Sequence, residues 1–213
     1  MRGLYPIVDL AALGRAQLEP LAFAERVLAA RPPLLQLRAK DVPARRALSL
    51  LRALVPLCRA NGALLFANDR PDLALLAGAD GVHVGQDDLP VEAVRRVGPG
   101  LRVGISTHDL EQLRRALDEK PDYVAFGPVF ATQSKANPDA VVGLDGLRRA
   151  AALAREGAVP LVAIGGIDLE RAPAIARAGA IGAVIAALIA PTLDEVSERA
   201  RALGRALDAA PDS

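Results

Sequence analysis

The chain has 213 residues, 52% of them hydrophobic and 24% charged, and its formal net charge is +1. These proportions are ordinary for a soluble globular protein, and the length suits one domain that spans residues 1–213. A net charge this close to zero excludes a global electrostatic field that would recruit nucleic acid or an acidic membrane. Any anion must therefore be bound by a local cluster of cations.

The cysteine content and the hydrophobic runs bear on the location of the protein. The single Cys58 excludes an internal disulfide and suits a reducing compartment. The first apolar run meets Asp9 too soon for a signal peptide, and no segment approaches the roughly 18 uncharged apolar residues of a membrane span. We expect a cytoplasmic protein without nucleic-acid or membrane partners, and the sequence leaves a homo-oligomer open.

Short apolar runs alternate with longer segments of helical periodicity, and this happens eight times. In chain order, the apolar runs are residues 4–8, 34–37, 63–67, 81–84, 101–105, 123–126, 159–164 and 183–186. Alternating β and α units predict a parallel sheet covered by helices, and eight units predict an α/β fold of one (β/α)8 TIM barrel. An open doubly wound sheet is the alternative, but no G-x-G-x-x-G follows the first strand. Residues 209–213 are expected to fray.

The end of the second strand supplies the first candidate site residues, because catalytic groups of such barrels gather where strands end. Gln36, Arg38 and Lys40 are two residues apart, so their side chains share one face of the strand. That face points into the barrel mouth, where two cations and an amide suit a polyanion such as a diphosphate. A solvated rim with local ion pairs is the alternative interpretation.

The next two strands end in carboxylates. Asn68 and Asp69 follow the third strand, and Asp88 follows the fourth. Each aspartate lies two residues before a proline, a pattern typical of a helix N-cap. On adjacent strand ends beside cations, the pair also suits Mg²⁺, which takes one or two carboxylates together with substrate phosphates. Both interpretations remain open, and Asn68 is expected to orient a polar ring by hydrogen bonds.

Hydroxyl groups and a lysine follow the fifth and sixth strands. Ser106 ends the fifth strand and either contacts phosphate or simply begins a loop. The connection after the sixth strand, residues 132–143, is long for a barrel, which is typical of a functional lid. It begins with Thr132, Ser134 and Lys135, whose hydroxyls and ammonium predict an anion clamp.

The last two strands end in small residues. Gly165 and Gly166 follow the seventh strand, and Ala186 and Ala187 follow the eighth. Loops in these positions often hold a phosphate through backbone N–H groups, and glycine permits close approach of the backbone. The pattern favours a monophosphate site here.

These segments, in this order, resemble the thiamine-phosphate synthase family along nearly the whole chain. The matching stretches are residues 4–9, 36–40, 68–70, 81–88, 104–108, 127–130 and 163–167. Each stretch is weakly specific alone, whereas the ordered set is specific. The resemblance implies an enzyme that joins an aminopyrimidine diphosphate to a thiazole phosphate, releases pyrophosphate, and uses Mg²⁺ and small-molecule substrates only.

The resemblance also implies a role for each matching residue. The aminopyrimidine diphosphate would be held by Gln36, Arg38, Lys40, Asn68 and Ser106, and Mg²⁺ by Asp69 and Asp88. The thiazole phosphate would be held by Thr132, Ser134, Lys135, Gly166, Ala186 and Ala187. The implied catalytic residues are Arg38, Lys40, Ser106 and Lys135, with Lys135 also reaching the pyrophosphate.

One departure from the family pattern concerns the phosphate loop. The family usually carries a serine where this chain has Ala187, so one side-chain phosphate donor is missing. Two alternatives to the synthase remain open: a thiazole tautomerase of the same barrel family, and a non-catalytic binder of a thiazole or pyrimidine phosphate, which Ala187 alone favours. A tautomerase would not need Arg38, Lys40, Asp69 and Asp88, which therefore favour the synthase.

Overall fold

The computed structural model describes residues 2–132 and 139–209. Eight parallel strands close into a barrel in which each strand pairs with the next along the chain and β1 pairs with β8. The strands are β1 Leu4–Asp9, β2 Leu34–Arg38, β3 Leu64–Asn68, β4 Gly81–Val84, β5 Arg102–Thr107, β6 Tyr123–Phe126, β7 Leu161–Ile164 and β8 Ile181–Val184. The predicted (β/α)8 TIM barrel is confirmed.

Helices cover the outer surface of the barrel. In the described part of the chain they are α1 Leu10–Arg15, α2 Pro20–Leu28, α3 Ala44–Asn61, α4 Pro71–Ala77, α5 Val91–Val97, α6 Leu110–Asp118, α7 Gly143–Glu156, α8 Ala172–Arg177 and α9 Leu193–Asp208. Within residues 2–132 and 139–209, no helix combines the length and apolar character needed to cross a membrane. The predicted frayed tail lies outside the described residues except for Ala209.

The bounds of the eighth strand differ from the predicted residues 183–186. The strand ends at Val184 because Ile185 adopts helical backbone angles, φ −116° and ψ −75°, and a 3-10 turn spans Ala186–Leu188. The run of small and branched apolar residues around this strand carries no turn signal that would place its end. The error is two residues, so the predicted alternation of side chains between the two faces is kept.

Two hydrophobic cores lie on opposite faces of the barrel wall. Outward-facing residues such as Leu35 and Leu37 pack with the helices in the larger core. The inward-facing core consists of Tyr5, Ile7, Leu34, Phe66, Tyr123, Ala125, Val162, Ile181 and Ala183. Burial on both faces explains why the strands read as continuous apolar runs.

Three aromatic rings fill the middle of the barrel. Tyr5, Phe66 and Tyr123 meet edge to face, with the Phe66 and Tyr123 centroids 5.3 Å apart. Glycines make room for them: a Cβ at Gly104 would lie 2.0 Å from the Tyr123 ring, and one at Gly81 would lie 2.5 Å from Phe66. The rings therefore close the barrel interior and leave the space above them as a pocket.

The Gly104→Ala substitution tests this close packing. A methyl group has no space beside the Tyr123 ring, so we expect the free energy of unfolding to fall by about 1–3 kcal/mol or more, as for other overpacked cores. Urea denaturation measures the change. Gly100→Ala is the matched control, because no heavy atom lies within 4 Å of a Cβ at that position. Equal stability of the two variants would contradict the packing described.

Candidate active site

A pocket of about 200 Å³ opens at the carboxyl ends of the strands. Among the residues predicted from the sequence, those that line it are Gln36, Arg38, Lys40, Asn68, Asp69, Asp88, Ser106, Thr132, Gly166 and Ala186. Ala187 instead packs partly buried against the outer core. Ser134 and Lys135 lie outside the described residues. The structure therefore brings together every described candidate except Ala187.

Arg38 is held in place by Asp9 at the end of β1. Its Nη1 atom lies 2.5 Å from Asp9 Oδ2. Asp9 is 4% exposed, and its other oxygen, Oδ1, accepts a hydrogen bond from the N–H of Ala12 at the start of α1. One carboxylate thus caps a helix and fixes a guanidinium at the pocket wall, which limits the positions the Arg38 side chain can take.

Asp69 and Asp88 do not cap helices. The residues that precede α4 and α5 are Arg70 and Pro90, and neither provides a side-chain cap. Asp69 has φ +61° and lies 3.3 Å from Lys40 Nζ, while Asp88 Oδ2 accepts from the N–H of Gly85 at 2.7 Å. The N-cap interpretation is therefore wrong, because the chain turns inward before each proline and directs both carboxylates to the pocket.

The neighbouring Asp88 affects the charge of Asp69. Burial raises the pKa of Asp69, the neighbouring Asp88 raises it further, and Lys40 opposes the rise. A site with this electrostatic strain favours a bound cation. The described residues contain no group of three or more His, Cys, Asp or Glu side chains that could enclose a metal. Two carboxylates fit Mg²⁺, which retains waters and takes further oxygens from substrate phosphates.

The charged residues at this rim do not by themselves favour an anion. Arg38 and Lys40 contribute two positive charges, and both are paired, with Asp9 and Asp69 respectively. Asp88 adds a third carboxylate, so these five side chains carry one net negative charge when all are ionised. A divalent cation would reverse the sign. Anion binding at this rim is therefore expected to depend on the metal.

A chain of hydrogen bonds forms the floor of the pocket. Gln36 Nε2 donates to the Tyr5 hydroxyl at 3.1 Å, and the Tyr5 hydroxyl lies 2.9 Å from that of Tyr123. His83 connects the chain to the pocket: its Nδ1 lies 2.7 Å from the Tyr123 hydroxyl and its Nε2 lies 2.7 Å from Ser106 Oγ. Ser106 thus belongs to β5 and to a polar network, rather than simply starting a loop.

The opposite wall is built from the loops after β6 and β7. A Cβ at Gly165 would lie 2.5 Å from Pro128, and one at Gly166 would lie 2.5 Å from the carbonyl oxygen of Ala131. Both glycines have positive φ, +100° and +61°, which other residues rarely adopt. Arg171 donates to the Gly166 carbonyl at 2.8 Å and stands over the Phe130 ring. Glycine is therefore required at both positions 165 and 166.

His108 connects this wall of the pocket to Asp139, the first residue of the second described range. Its Nδ1 lies 2.8 Å from the Gly127 carbonyl oxygen and 3.5 Å from Asp139 Oδ2. His108 and Asp139 both line the pocket. The histidine is thus a loop-fixing residue, and Asp109 beside it caps α6 through the N–H of Gln112.

Sequence reasoning missed four residues of the site: Asp9, Tyr5, His83 and Tyr123. All four lie at inward-facing positions of their strands, like Gln36. A tyrosine or histidine at an inward-facing strand position could have indicated a polar network, since a buried hydroxyl or imidazole needs a polar partner. The partner could not be named, because Tyr5 and Tyr123 are 118 residues apart.

The coupling between Asp69 and Asp88 gives a titration experiment. We expect Asp88→Asn to lower the pKa of Asp69, because a neighbouring negative charge is removed. Lys40→Gln is expected to raise it, because a neighbouring positive charge is removed. Carboxyl ¹³C NMR against pH measures both shifts in metal-free protein. An Asp69 pKa that is unchanged in both variants would contradict the site geometry.

Comparison with known proteins identifies the family of this chain. Residues 4–189 match the family model described as thiamine monophosphate synthase. The chain is 50% identical over 171 residues to a thiamine-phosphate synthase of Koribacter versatilis (strain Ellin345), covering 77% of each chain. It is 44% identical over 199 residues to that of Roseiflexus sp. (strain RS-1), covering 92% of this chain and 82% of the relative. The thiamine phosphate pyrophosphorylase from Pyrococcus furiosus has a TM-score of 0.83 at 31% identity and covers 96% of this chain and 94% of its own. The chain belongs to the thiamine monophosphate synthase family.

Proposed function

We propose that this protein is a transferase that couples 4-amino-2-methyl-5-(diphosphomethyl)pyrimidine with 4-methyl-5-(2-phosphoethyl)thiazole to form thiamine phosphate and pyrophosphate. With the carboxylated thiazole, CO₂ is released as well. The observation that carries the proposal is the convergence of Arg38, Lys40, Asp69 and Asp88 on one rim of the pocket. Family membership, with relatives at 44% and 50% identity, supports the same reaction.

The aminopyrimidine half occupies the side of the pocket made by β2 to β5. Gln36 and Asn68 line the pocket with amide groups that would hydrogen-bond the heteroaromatic ring, and Ser106 lines it with a hydroxyl. Arg38 and Lys40 stand nearer the mouth and face the diphosphate. Because Asp9 holds the guanidinium of Arg38, that charge is positioned before the substrate arrives.

Mg²⁺ would be held by Asp69 and Asp88, and when bound it supplies positive charge next to the leaving diphosphate. Lys40 contacts Asp69 at 3.3 Å, so the same rim carries a fixed ammonium beside the metal ligands. These residues stabilise charge that increases as the carbon–oxygen bond to the diphosphate breaks. Stabilisation of this kind is electrostatic preorganisation.

The thiazole phosphate occupies the other side, between the loops after β6, β7 and β8. Gly166 and Ala186 line the pocket there and offer backbone N–H groups, and Thr132 offers a hydroxyl. Ser134 and Lys135, assigned to this phosphate by resemblance, lie outside the described residues. Ala187 adds only a methyl group, so the backbone of this loop has to replace the missing serine hydroxyl.

The reaction is a dissociative substitution in which the pyrimidine methylene becomes cation-like and the thiazole nitrogen attacks it. No protein nucleophile is needed. The only thiol of the chain, Cys58, is buried in the outer core, where burial raises its pKa to about 12. It is therefore neither placed nor ionised for covalent catalysis. The pocket acts by positioning the two substrates and stabilising the leaving group.

The rim distinguishes the synthase from the two alternatives. A thiazole tautomerase has no diphosphate to stabilise, and a binder of one monophosphate has no use for two separate anion sites. Arg38, Lys40 and the two aspartates lie across the pocket from Gly166 and Ala186, on different strands of the barrel. Two anion sites that face one cavity fit a reaction with two phosphorylated substrates.

Pyrophosphate release tests the proposal. Purified protein receives the aminopyrimidine diphosphate, the thiazole phosphate and Mg²⁺, and each is omitted in turn. We expect release only when all three are present, because the leaving group departs with metal assistance and the thiazole traps the cation. Heat-denatured protein is the control. No release from folded protein that still binds thiazole phosphate would favour the tautomerase or the binding protein instead.

A further inference from the structure

The hydrogen bonds at the pocket floor form one continuous chain across the barrel. They join strands β2, β1, β6, β4 and β5 through Gln36, Tyr5, Tyr123, His83 and Ser106. The first four of these residues are at most 9% exposed. The His83 ring also stacks on the Tyr123 ring, with the two planes 14° apart. The chain is therefore rigid, and Ser106 is the member that reaches most towards the cavity.

The number of protons available along this series of hydrogen bonds determines which group donates in each bond. Gln36 Nε2 carries only donor hydrogens, so the Tyr5 hydroxyl accepts there and its single proton goes to Tyr123. Tyr123 has then accepted one bond, and its own proton goes to His83 Nδ1. With Nδ1 accepting, the neutral imidazole carries its proton on Nε2 and donates it to Ser106 Oγ. The hydroxyl proton of Ser106 remains for the pocket.

The two phenols are suited to this role because they stay protonated. Burial raises the pKa of Tyr5 and the pKa of Tyr123, both well above the usual range.

The direction of the hydrogen bonds depends on the orientation of the Gln36 amide. If its oxygen faced Tyr5, every bond would be reversed, and Ser106 would donate to His83 rather than to a ligand.

We propose that Tyr5, Tyr123 and His83 act as positioning residues that hold the imidazole in the Nε2–H tautomer, so that Ser106 presents its hydroxyl proton to the diphosphate. The inference rests on the proposed function for the identity of the ligand. It also connects the residue that would bind the pyrimidine amino group, Gln36, with the residue that would bind the diphosphate, Ser106. Gln36 directs its amide nitrogen to the chain, and so its oxygen is left for the amino group of the pyrimidine. An amino group bound there would stabilise the orientation that makes Ser106 a donor.

The tautomer of His83 is measured by long-range ¹H–¹⁵N NMR of ring-labelled protein. The chain has only two histidines, so the spectrum of a His108→Gln variant assigns the His83 signals. We expect a protonated Nε2 and an unprotonated Nδ1 in the ligand-free protein. A protonated Nδ1 would overturn the proposed direction. This measurement needs no substrate, so it is decided even if the proposed synthase activity is absent.

The second experiment interrupts the series of hydrogen bonds at Tyr123. Tyr123→Phe keeps the ring but removes the donor to Nδ1, so the hydrogen bond that fixes the Nε2–H tautomer is lost. We expect kcat to fall at least about fivefold, with KM for the aminopyrimidine diphosphate nearly unchanged. Thr107→Val is the matched control, because Thr107 also loses a buried hydroxyl bond, to the Ala125 carbonyl, but lies outside the chain. We expect the control to leave kcat unchanged. Equal effects on kcat in the two variants would show a merely structural role.

Two substitutions of His83 test the contact with Ser106 directly. In His83→Gln, the amide nitrogen takes the place of Nε2 and still donates to Ser106. In His83→Asn, the shorter amide takes the place of Nδ1, where its oxygen accepts from Tyr123, and no donor reaches Ser106. We expect the glutamine variant to keep a higher kcat than the asparagine variant at similar thermal stability. Equal kcat in the two folded variants would overturn the claim that the chain acts through Ser106.

Discussion

Removing a polar group from water costs free energy unless the group finds a hydrogen-bond partner. The interior of this barrel contains several such polar groups. Within the described residues, no buried side-chain nitrogen or oxygen lacks a partner. Tyr5, Tyr123 and His83 satisfy one another across the barrel, and His83 passes this network on to Ser106. The same network separates an aromatic interior below from a polar pocket above. The position of the floor, and therefore the depth available to a ring, follows from it.

Above the floor, charge rather than shape distinguishes the two sides of the pocket. On the side of β1 to β4, the carboxylates of Asp9, Asp69 and Asp88 outnumber the cations of Arg38 and Lys40. The pKa of Asp69 is raised by burial and by the neighbouring Asp88. In the proposed function, this side needs a divalent cation before it attracts a diphosphate. On the side of β7 and β8, Gly166 and Ala186 contribute backbone groups at the ends of strands, where a monophosphate needs no metal. The two halves therefore suit two different phosphorylated ligands.

The sequence predicted most of the barrel and much of the pocket, because both follow from local periodicity. Alternating apolar runs predicted eight strands, and the two-residue spacing placed Gln36, Arg38 and Lys40 on one face, which the structure confirms. The end of β8 was placed two residues too late, since no turn residue marks it. Contacts that depend on barrel closure were not predictable: the Tyr5–Tyr123 bond joins β1 and β6 across the barrel, between residues 118 positions apart. The aspartates were ambiguous, because the spacing before a proline is the same for a cap and for an inward turn.

We propose that the rim formed by Arg38, Lys40, Asp69 and Asp88 is a metal-dependent diphosphate site. Titration calorimetry of the aminopyrimidine diphosphate, without the thiazole, tests it most directly when it is done with and without Mg²⁺. We predict that Mg²⁺ strengthens binding by at least about tenfold, equivalent to roughly 1.4 kcal/mol, and that Asp69→Asn removes this gain. Equal affinity with and without Mg²⁺ would contradict a metal-dependent diphosphate site at this rim.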